Sequence, residues 1–279
     1  MAVNEAQIAA LKDRARRMRI DIVKMLHGSG SGHTGGSLSA TDIMTALYFA
    51  KMKYDPKKPD WKGRDFFILS KGHAAPVLYT TLAHAGFIET SELCTLRKLG
   101  SRLQGHPDSK YLPGVEISTG SLGQGLSVAC GVALAHKLDK AQNRVYAVLG
   151  DGELQEGQIW EAAMTGAHYK LDNLCILVDN NGLQIDGPVA KVMGVEPIAD
   201  KWRAFGWDVQ DIDGHDMAQI VAALDKAETV KGKPSAIVCR TVKGKGSKCF
   251  EGKVEFHGTT PSKEELEMAL KELDEAVCK

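Results

Sequence analysis

Apolar positions recur at spacings of three and four through residues 4–27: Ile8, Leu11, Ala15, Met18, Ile22, Met25 and Leu26. That spacing lays one apolar stripe along a helix, and Asn4 followed by Gln7 predicts its capped start. Helical periodicity returns over Ser39–Lys51. Five short runs suited to buried strands follow: Phe66–Ser70, Val145–Gly150, Leu174–Asp179, Trp207–Ile212 and Ala236–Thr241. Helical segments separate them near 73–85, 122–138, 156–170, 197–205 and 215–231, and Ser262-Lys-Glu-Glu265 reads as a capping box opening a last helix. Apolar strands alternating with helices predict an α/β fold with a central, mostly parallel sheet covered on both faces. No internal repeat or long linker interrupts the pattern.

Between the first two helices lies GSGSGHTGG, residues 28–36. Gly30, Gly32 and Gly35 match the G-x-G-x-x-G spacing of a dinucleotide loop, but such a loop must follow a strand, and none precedes Gly30. The match is therefore read as accidental.

Composition narrows the class. The 279 residues are 43% hydrophobic, enough for a large core, and Lys+Arg and Asp+Glu both number 35. Zero net charge without a basic, aromatic-studded stripe argues against nucleic acid as a partner. No apolar run reaches the roughly 20 residues of a membrane helix. The six cysteines (Cys94, Cys130, Cys175, Cys239, Cys249, Cys278) form no C-x-x-C pair and read as inert free thiols. Together with an N-terminus charged throughout, these features lead us to expect a soluble cytoplasmic protein without a signal peptide.

Candidate chemistry concentrates in Val145 to Gly187, which reads as one βαβ unit. Asp151 directly follows one buried strand and Asn180-Asn181 the next. In a right-handed βαβ unit both polar ends emerge at the carboxyl edge of the sheet, where open α/β sheets bind ligands. A carboxylate and an amide oxygen are hard ligands suited to Mg²⁺ or Ca²⁺, and Mg²⁺ commonly takes further ligands from phosphate. Gly152 lets a backbone approach closely, and the helix after it offers free N–H donors. Asp-Gly or Asn-Gly alone would be an ordinary turn. In the order strand, GDG, helix, strand, NN, they describe a metal-bridged diphosphate site. Of nine histidines, His33, His73, His106 and His257 lie in loop motifs, whereas His84, His136 and His168 fall in predicted helices.

GDG followed 27 residues later by NN resembles the thiamine-diphosphate-binding motif. The wider series is similar to the N-terminal half of the transketolase family: SGHTGGSLS around His33, SKGHAAPVLY around His73, QGHP around His106, STGSLGQGL at 118–126, GDGELQEGQIWEA, DNNGLQIDG, and FHGTTP around His257. The motifs run in family order over nearly the whole chain. This resemblance implies the thiamine-diphosphate-binding fold, with residues 1–279 forming a single diphosphate-binding domain that includes the C-terminal helix. It implies that Asp151, Asn181 and the Leu183 carbonyl hold Mg²⁺ or Ca²⁺, that Gly152 meets the diphosphate with His73 near it, and that Gly120, Ser121 and Leu122 lie against the cofactor rings. His33, His106 and His257 would line a sugar channel, and His257 would also reach the cofactor. Glu156 resembles the glutamate that pairs with a partner's cofactor-activating glutamate across a dimer interface. Imidazoles, whose ordinary pKa suits acid and base duty near neutrality, fit such work, since ketose cleavage needs a carbanion sink from the cofactor and proton movement at hydroxyls.

Thr34 and Ser121 stand where the family pattern usually has proline; retained chemistry with altered loop rigidity is expected. The sequence also carries no candidate pyrimidine-binding or C-terminal domain. The resemblance is thus closest to the N-terminal subunit of a split, two-polypeptide transketolase, inactive alone and completed by a C-terminal subunit in an α2β2 heterotetramer. The expected reaction moves a two-carbon ketol unit from a ketose phosphate to an aldose phosphate, as in the pentose phosphate pathway. Relatives sharing the scaffold, deoxyxylulose-phosphate synthase or a dehydrogenase E1 component, are alternatives, as is a non-catalytic diphosphate-binding regulator. Trp202, Phe205 and Trp207 are expected in the core or an interface, and Lys243–Lys248 as a mobile cationic loop at the channel mouth.

Overall fold

A computed structural model describes residues 4–275. Helix α1 (Glu5–Ser29) is capped as its sequence predicts: Asn4 Oδ1 accepts from Gln7 N at 2.9 Å, and Gln7 Oε1 accepts from Asn4 N at 3.0 Å. Its C-cap, Gly30, adopts φ 63°, a left-handed conformation that glycine takes without steric cost. The glycine-rich stretch is less of a loop than expected. Residues 30–33 are irregular, but Thr34 begins a short helix α2 (Thr34–Ser39), followed by α3 (Thr41–Ala46) and a π-turn at Leu47–Lys51. Gly35 and Gly36 are therefore helical residues chosen for close approach. A Cβ on Gly35 would lie 2.8 Å from Lys243 Cγ and 3.1 Å from the Phe256 carbonyl.

Among the described residues, strands β1 (Phe66–Leu69), β2 (Val145–Gly150), β3 (Leu174–Asn180), β6 (Asp208–Asp213) and β7 (Ser235–Arg240) form one parallel sheet in the order β1-β2-β3-β7-β6. The fold class is α/β, as the alternating pattern requires. A two-residue antiparallel pair, β4 (Leu183–Gln184) with β5 (Gly187–Pro188), stands apart just beyond β3. Helices α4 (Ala75–Ala85), α5 (Gln124–Leu138), α6 (Gly157–His168), α7 (Val189–Val192), α8 (Ile198–Ala204), α9 (Met217–Thr229) and α10 (Lys263–Glu275) complete the elements. The Ser262–Glu265 capping box opens α10 as predicted.

Strands β1, β2, β3 and β7 alternate between two apolar layers, which is why their sequence runs are continuously hydrophobic, whereas the edge strand β6 (DVQDID) is half-exposed and carries polar residues. Tyr146, Val148, Cys175, Leu177, Ile237 and Cys239 face a core shared with α1, α3, α4 and α9. Val145, Ala147, Leu149, Ile176 and Val178 face the other, under α5, α6 and α8. Trp202 and Trp207 belong to that second core with Phe205 against them. Cys94, Cys130, Cys175, Cys239 and Cys249 are free thiols; Cys278 lies outside the described residues. Among the described residues, no helix is long and apolar enough to cross a membrane.

Leu177 is fully buried in the central strand. Leu177→Ala should cost about 2–5 kcal/mol in urea unfolding, whereas Lys226→Ala on α9 should stay within about 0.5 kcal/mol.

Candidate active site

Four of the parallel strands deliver polar residues to one edge of the sheet. Lys71 follows β1, Asp151 follows β2, Asp179 is the penultimate residue of β3, and Thr241 and Lys243 follow β7. Lys71 and Asp179 form an ion pair at 1% and 0% exposure. Burying two charges is tolerable only when most of their remaining valences are met, and here most are. Lys71 Nζ also donates to the Gly36 carbonyl at 2.9 Å. Asp179 accepts from Ser39 Oγ at 2.6 Å, from Asn181 Nδ2 at 3.2 Å and from Thr241 Oγ1. Burial alone would raise the Asp179 pKa; the Lys71 charge and these hydrogen bonds hold it below the usual carboxylate value.

Asp151 sits beside this pair at 2% exposure. Its Oδ1 accepts from Gly152 N at 2.8 Å and its Oδ2 from Gly182 N at 2.5 Å. Burial and repulsion from Asp179 push its carboxyl up to about 6. A divalent cation here would relieve both effects. Asn181 lies next to it with Oδ1 on Leu183 N at 3.1 Å. The described residues contain no group of three His, Cys, Asp or Glu able to hold a metal. A cation at Asp151 must therefore draw on amide and carbonyl oxygens and on a ligand it brings, which fits a hard ion bridging to phosphate.

Asp151, Asn181 and Leu183 line a cleft of about 340 Å³ with Lys71, Lys243 and His73. A Cβ on Gly36 would sit 3.6 Å from His73 Nε2 and 3.7 Å from Lys71 Nζ. Glycine there leaves room beside two donors. Lys243 departs from expectation: it is no mobile surface lysine but 2% exposed. Its Nζ donates to the Leu183 carbonyl at 3.0 Å and to His257 Nδ1 at 2.8 Å. Burial and the Lys71 charge lower its pKa to about 8. Two lysines, a glycine-lined wall and a hard-ligand set match what a metal–diphosphate group requires.

The structure brings the four loop histidines together. The His33 ring lies 5.2 Å from His73, 5.6 Å from His257 and 6.1 Å from His106, and His73 stacks on His257 at 5.1 Å. His73 and His257 line the cleft, with His33 and His106 beside it. Burial depresses all four pKa values, aided by nearby cations: His33 to about 4, His257 to about 3, and His73 well below its ordinary value. At neutral pH each imidazole is uncharged and able both to donate and to accept a proton.

Of the remaining candidates, Leu122 and Glu156 line the cleft. Glu156 is exposed at the start of α6, against Gly123. Gly120 packs on His106 at φ 156°, and Ser121 is exposed next to it. Thr34 is fully buried, its hydroxyl donating to the Thr259 carbonyl at 2.6 Å. Lys71, Asp179, Lys243 and Glu153 join the site without having been among the residues expected from sequence. Buried Glu153 accepts from Ser70 Oγ, from Gly123 N at 2.9 Å and from Gly150 N at 3.1 Å, tying three loops under the cleft. The available signal was positional, because each of these follows or closes an apolar strand run, as Asp151 does.

The chain as a whole has relatives among known proteins. The thiamine diphosphate-binding domain of transketolase, as a family, matches residues 9–274. The chain belongs to that family. It is 44% identical to the 6-deoxy-6-sulfo-D-fructose transketolase subunit SqwG of Clostridium sp. (strain MSTE9), covering 98% of each chain. It is 42% identical to an apulose-4-phosphate transketolase subunit of Phocaeicola vulgatus, over 97% of this chain and 96% of that one. The transketolase of Campylobacter jejuni superposes with a TM-score of 0.90 at 34% identity, with 98% of this chain matching 43% of that one. The chain thus spans nearly the full length of some relatives and under half of others.

Two outcomes follow. Asp179→Asn or Lys71→Met alone should each destabilise the chain by about 3–5 kcal/mol, and the double variant by less than their sum in denaturant unfolding. The second concerns protons. These imidazoles bind them less readily in the fold than in the unfolded chain, so stability should fall as pH drops from about 6.5 toward 4. Lys243→Met removes a cation that opposes protonation, and should raise the His33 and His257 titration midpoints seen by ¹⁵N NMR.

Proposed function

We propose that this chain is the diphosphate-binding subunit of a transketolase that moves a two-carbon ketol unit from a ketose phosphate to an aldose phosphate. The observation that carries this reading is the packing of four neutral imidazoles against a cleft whose floor is Asp151, Asn181 and the Leu183 carbonyl. Polyol chemistry needs several groups that exchange protons and orient hydroxyls, and neutral histidines do both.

Thiamine diphosphate, when bound, supplies the carbanion sink for breaking the ketose carbon–carbon bond. The chain's own residues do the rest. Asp151, Asn181 and the Leu183 carbonyl take Mg²⁺, or Ca²⁺ in its place. Gly152 N, Lys71 and Lys243 face the diphosphate, with His73 at the same end. Leu122, with Gly120 and Ser121, shapes the wall for the cofactor rings. Lys243 donates to His257 Nδ1, so His257 is held as the Nε2–H tautomer and can donate to a sugar oxygen. His33 and His106 orient hydroxyls and accept or return protons there. Glu156, exposed at the cleft, would pair with a carboxyl group of a partner.

Relatives matched over nearly their full length are named as subunits, which supports a companion chain. We take that companion to bear the pyrimidine-binding and C-terminal domains and to assemble with this chain as α2β2 in the cytoplasm. Their names specify a sulfo sugar and a sugar phosphate, so substrates with either anionic end belong in the assay.

Reconstitution with the companion, thiamine diphosphate and Mg²⁺ should give ketol transfer, with the lone chain inactive. No transfer by the pair overturns the catalytic reading; strong transfer by the lone chain overturns the split assembly. Asp151→Ala should abolish Mg²⁺-dependent cofactor retention in equilibrium dialysis, and unchanged retention would refute the metal assignment.

A further inference from the structure

Thr34 lies between His33 and the helical glycines, at the first position of α2, with 0% of its surface exposed. Its hydroxyl donates to the Thr259 carbonyl at 2.6 Å, and thereby reaches across 225 residues of sequence. Nearby, the His27 Nδ1–H at the end of α1 donates to the Pro261 carbonyl at 2.9 Å. These two bonds grip the 259–261 stretch from below. His257 is two residues upstream of the first. On its other side Phe256 is anchored in the core, its ring 4.8 Å from Phe250.

The first turn of α2 also meets Lys243. The Gly35 carbonyl accepts from Gly244 N at 3.0 Å, and the space a Gly35 Cβ would need is filled by the Lys243 stem and the Phe256 carbonyl. So a single helical turn touches Lys243 and the backbone next to His257, the two partners of one hydrogen bond, and the residue before it is His33, 5.6 Å from the His257 ring. Proline at position 34 would fix φ but offer no donor to the Thr259 carbonyl. Threonine supplies a tertiary tie instead.

We propose that Thr34 is a positioning residue: its hydroxyl clamps the Thr259 carbonyl and so holds the His257 imidazole against Lys243 and His33. Its importance to catalysis rests on the transketolase reading above; the positioning itself does not. Removing the donor while keeping the shape frees the segment after His257, letting the imidazole swing out toward water and away from the Lys243 cation. A hydroxyl alone suffices for the tie, so serine replaces threonine.

The test compares Thr34→Val and Thr34→Ser in the full chain by ¹⁵N NMR of the histidines, with His84, held by Asp21 at 2.7 Å on a different surface, as the internal reference. In T34V the His257 titration midpoint should rise by at least about one pH unit toward its ordinary value, with His84 unmoved, and T34S should match the wild type. In the reconstituted pair T34V should lose about tenfold in kcat/KM for ketol transfer, with T34S close to wild type. A His257 midpoint unchanged in T34V overturns the proposal. So does a common shift of His257 and His84, which would mark general loosening, or a T34S spectrum like that of T34V. Absence of ketol transfer in the wild-type pair would instead overturn the transketolase reading, and the NMR comparison would still decide the role of Thr34.

Discussion

The buried Lys71–Asp179 ion pair is the constraint on which the site depends. It joins the ends of β1 and β3, and through Ser39, Gly36 and Thr241 it fixes α2 and the exit of β7 to the same point. A charge without its partner in this position would cost several kcal/mol, so the four segments have one arrangement that satisfies it. His33, His73, Asn181 and Lys243 each lie within three residues of a group in that network. The chemistry-bearing side chains inherit their positions from an interaction that itself touches no reacting atom.

Charge balance explains the rest of the cleft. Asp151 and Asp179 are two buried carboxylates facing one fully buried lysine, with Lys243 a second cation whose own pKa is lowered. The Asp151 carboxylate, disfavoured by burial and by Asp179, is the charge that a divalent cation would neutralise. The same cations, together with burial, keep the imidazoles unprotonated. The floor therefore favours a metal–phosphate group, while the wall carries neutral groups able to shuttle protons, a few ångströms apart.

Much of this was legible in the sequence because the governing rules are local. Continuous apolar runs separated by helical periodicity require a parallel sheet, and a parallel sheet puts the residue after each strand on one edge. Asp151 and Asn181 were found in that way, and the loop histidines by their motifs. Lys71 and Asp179 escaped because a charge buried by tertiary pairing looks, in one dimension, like any polar residue at a strand end. Lys243 was misread for a related reason: three lysines among glycines suggest solvent, yet burial of the first is decided by α2, more than 200 residues earlier. The helical character of Thr34–Ser39 was hidden by its glycines, whose low propensity is overridden by packing against Lys243 and the 256–259 segment.

The central claim is that Asp151, Asn181 and the Leu183 carbonyl hold a metal bridging to the diphosphate of thiamine diphosphate. A crystal structure of the chain grown with thiamine diphosphate and Mg²⁺ tests it most directly. An octahedral ion is expected, with those three oxygens and diphosphate oxygens at about 2.0–2.1 Å, and Lys243 Nζ moved from the Leu183 carbonyl toward the phosphate. A diphosphate bound away from Asp151, or a metal held without Asn181 and Leu183, would contradict it.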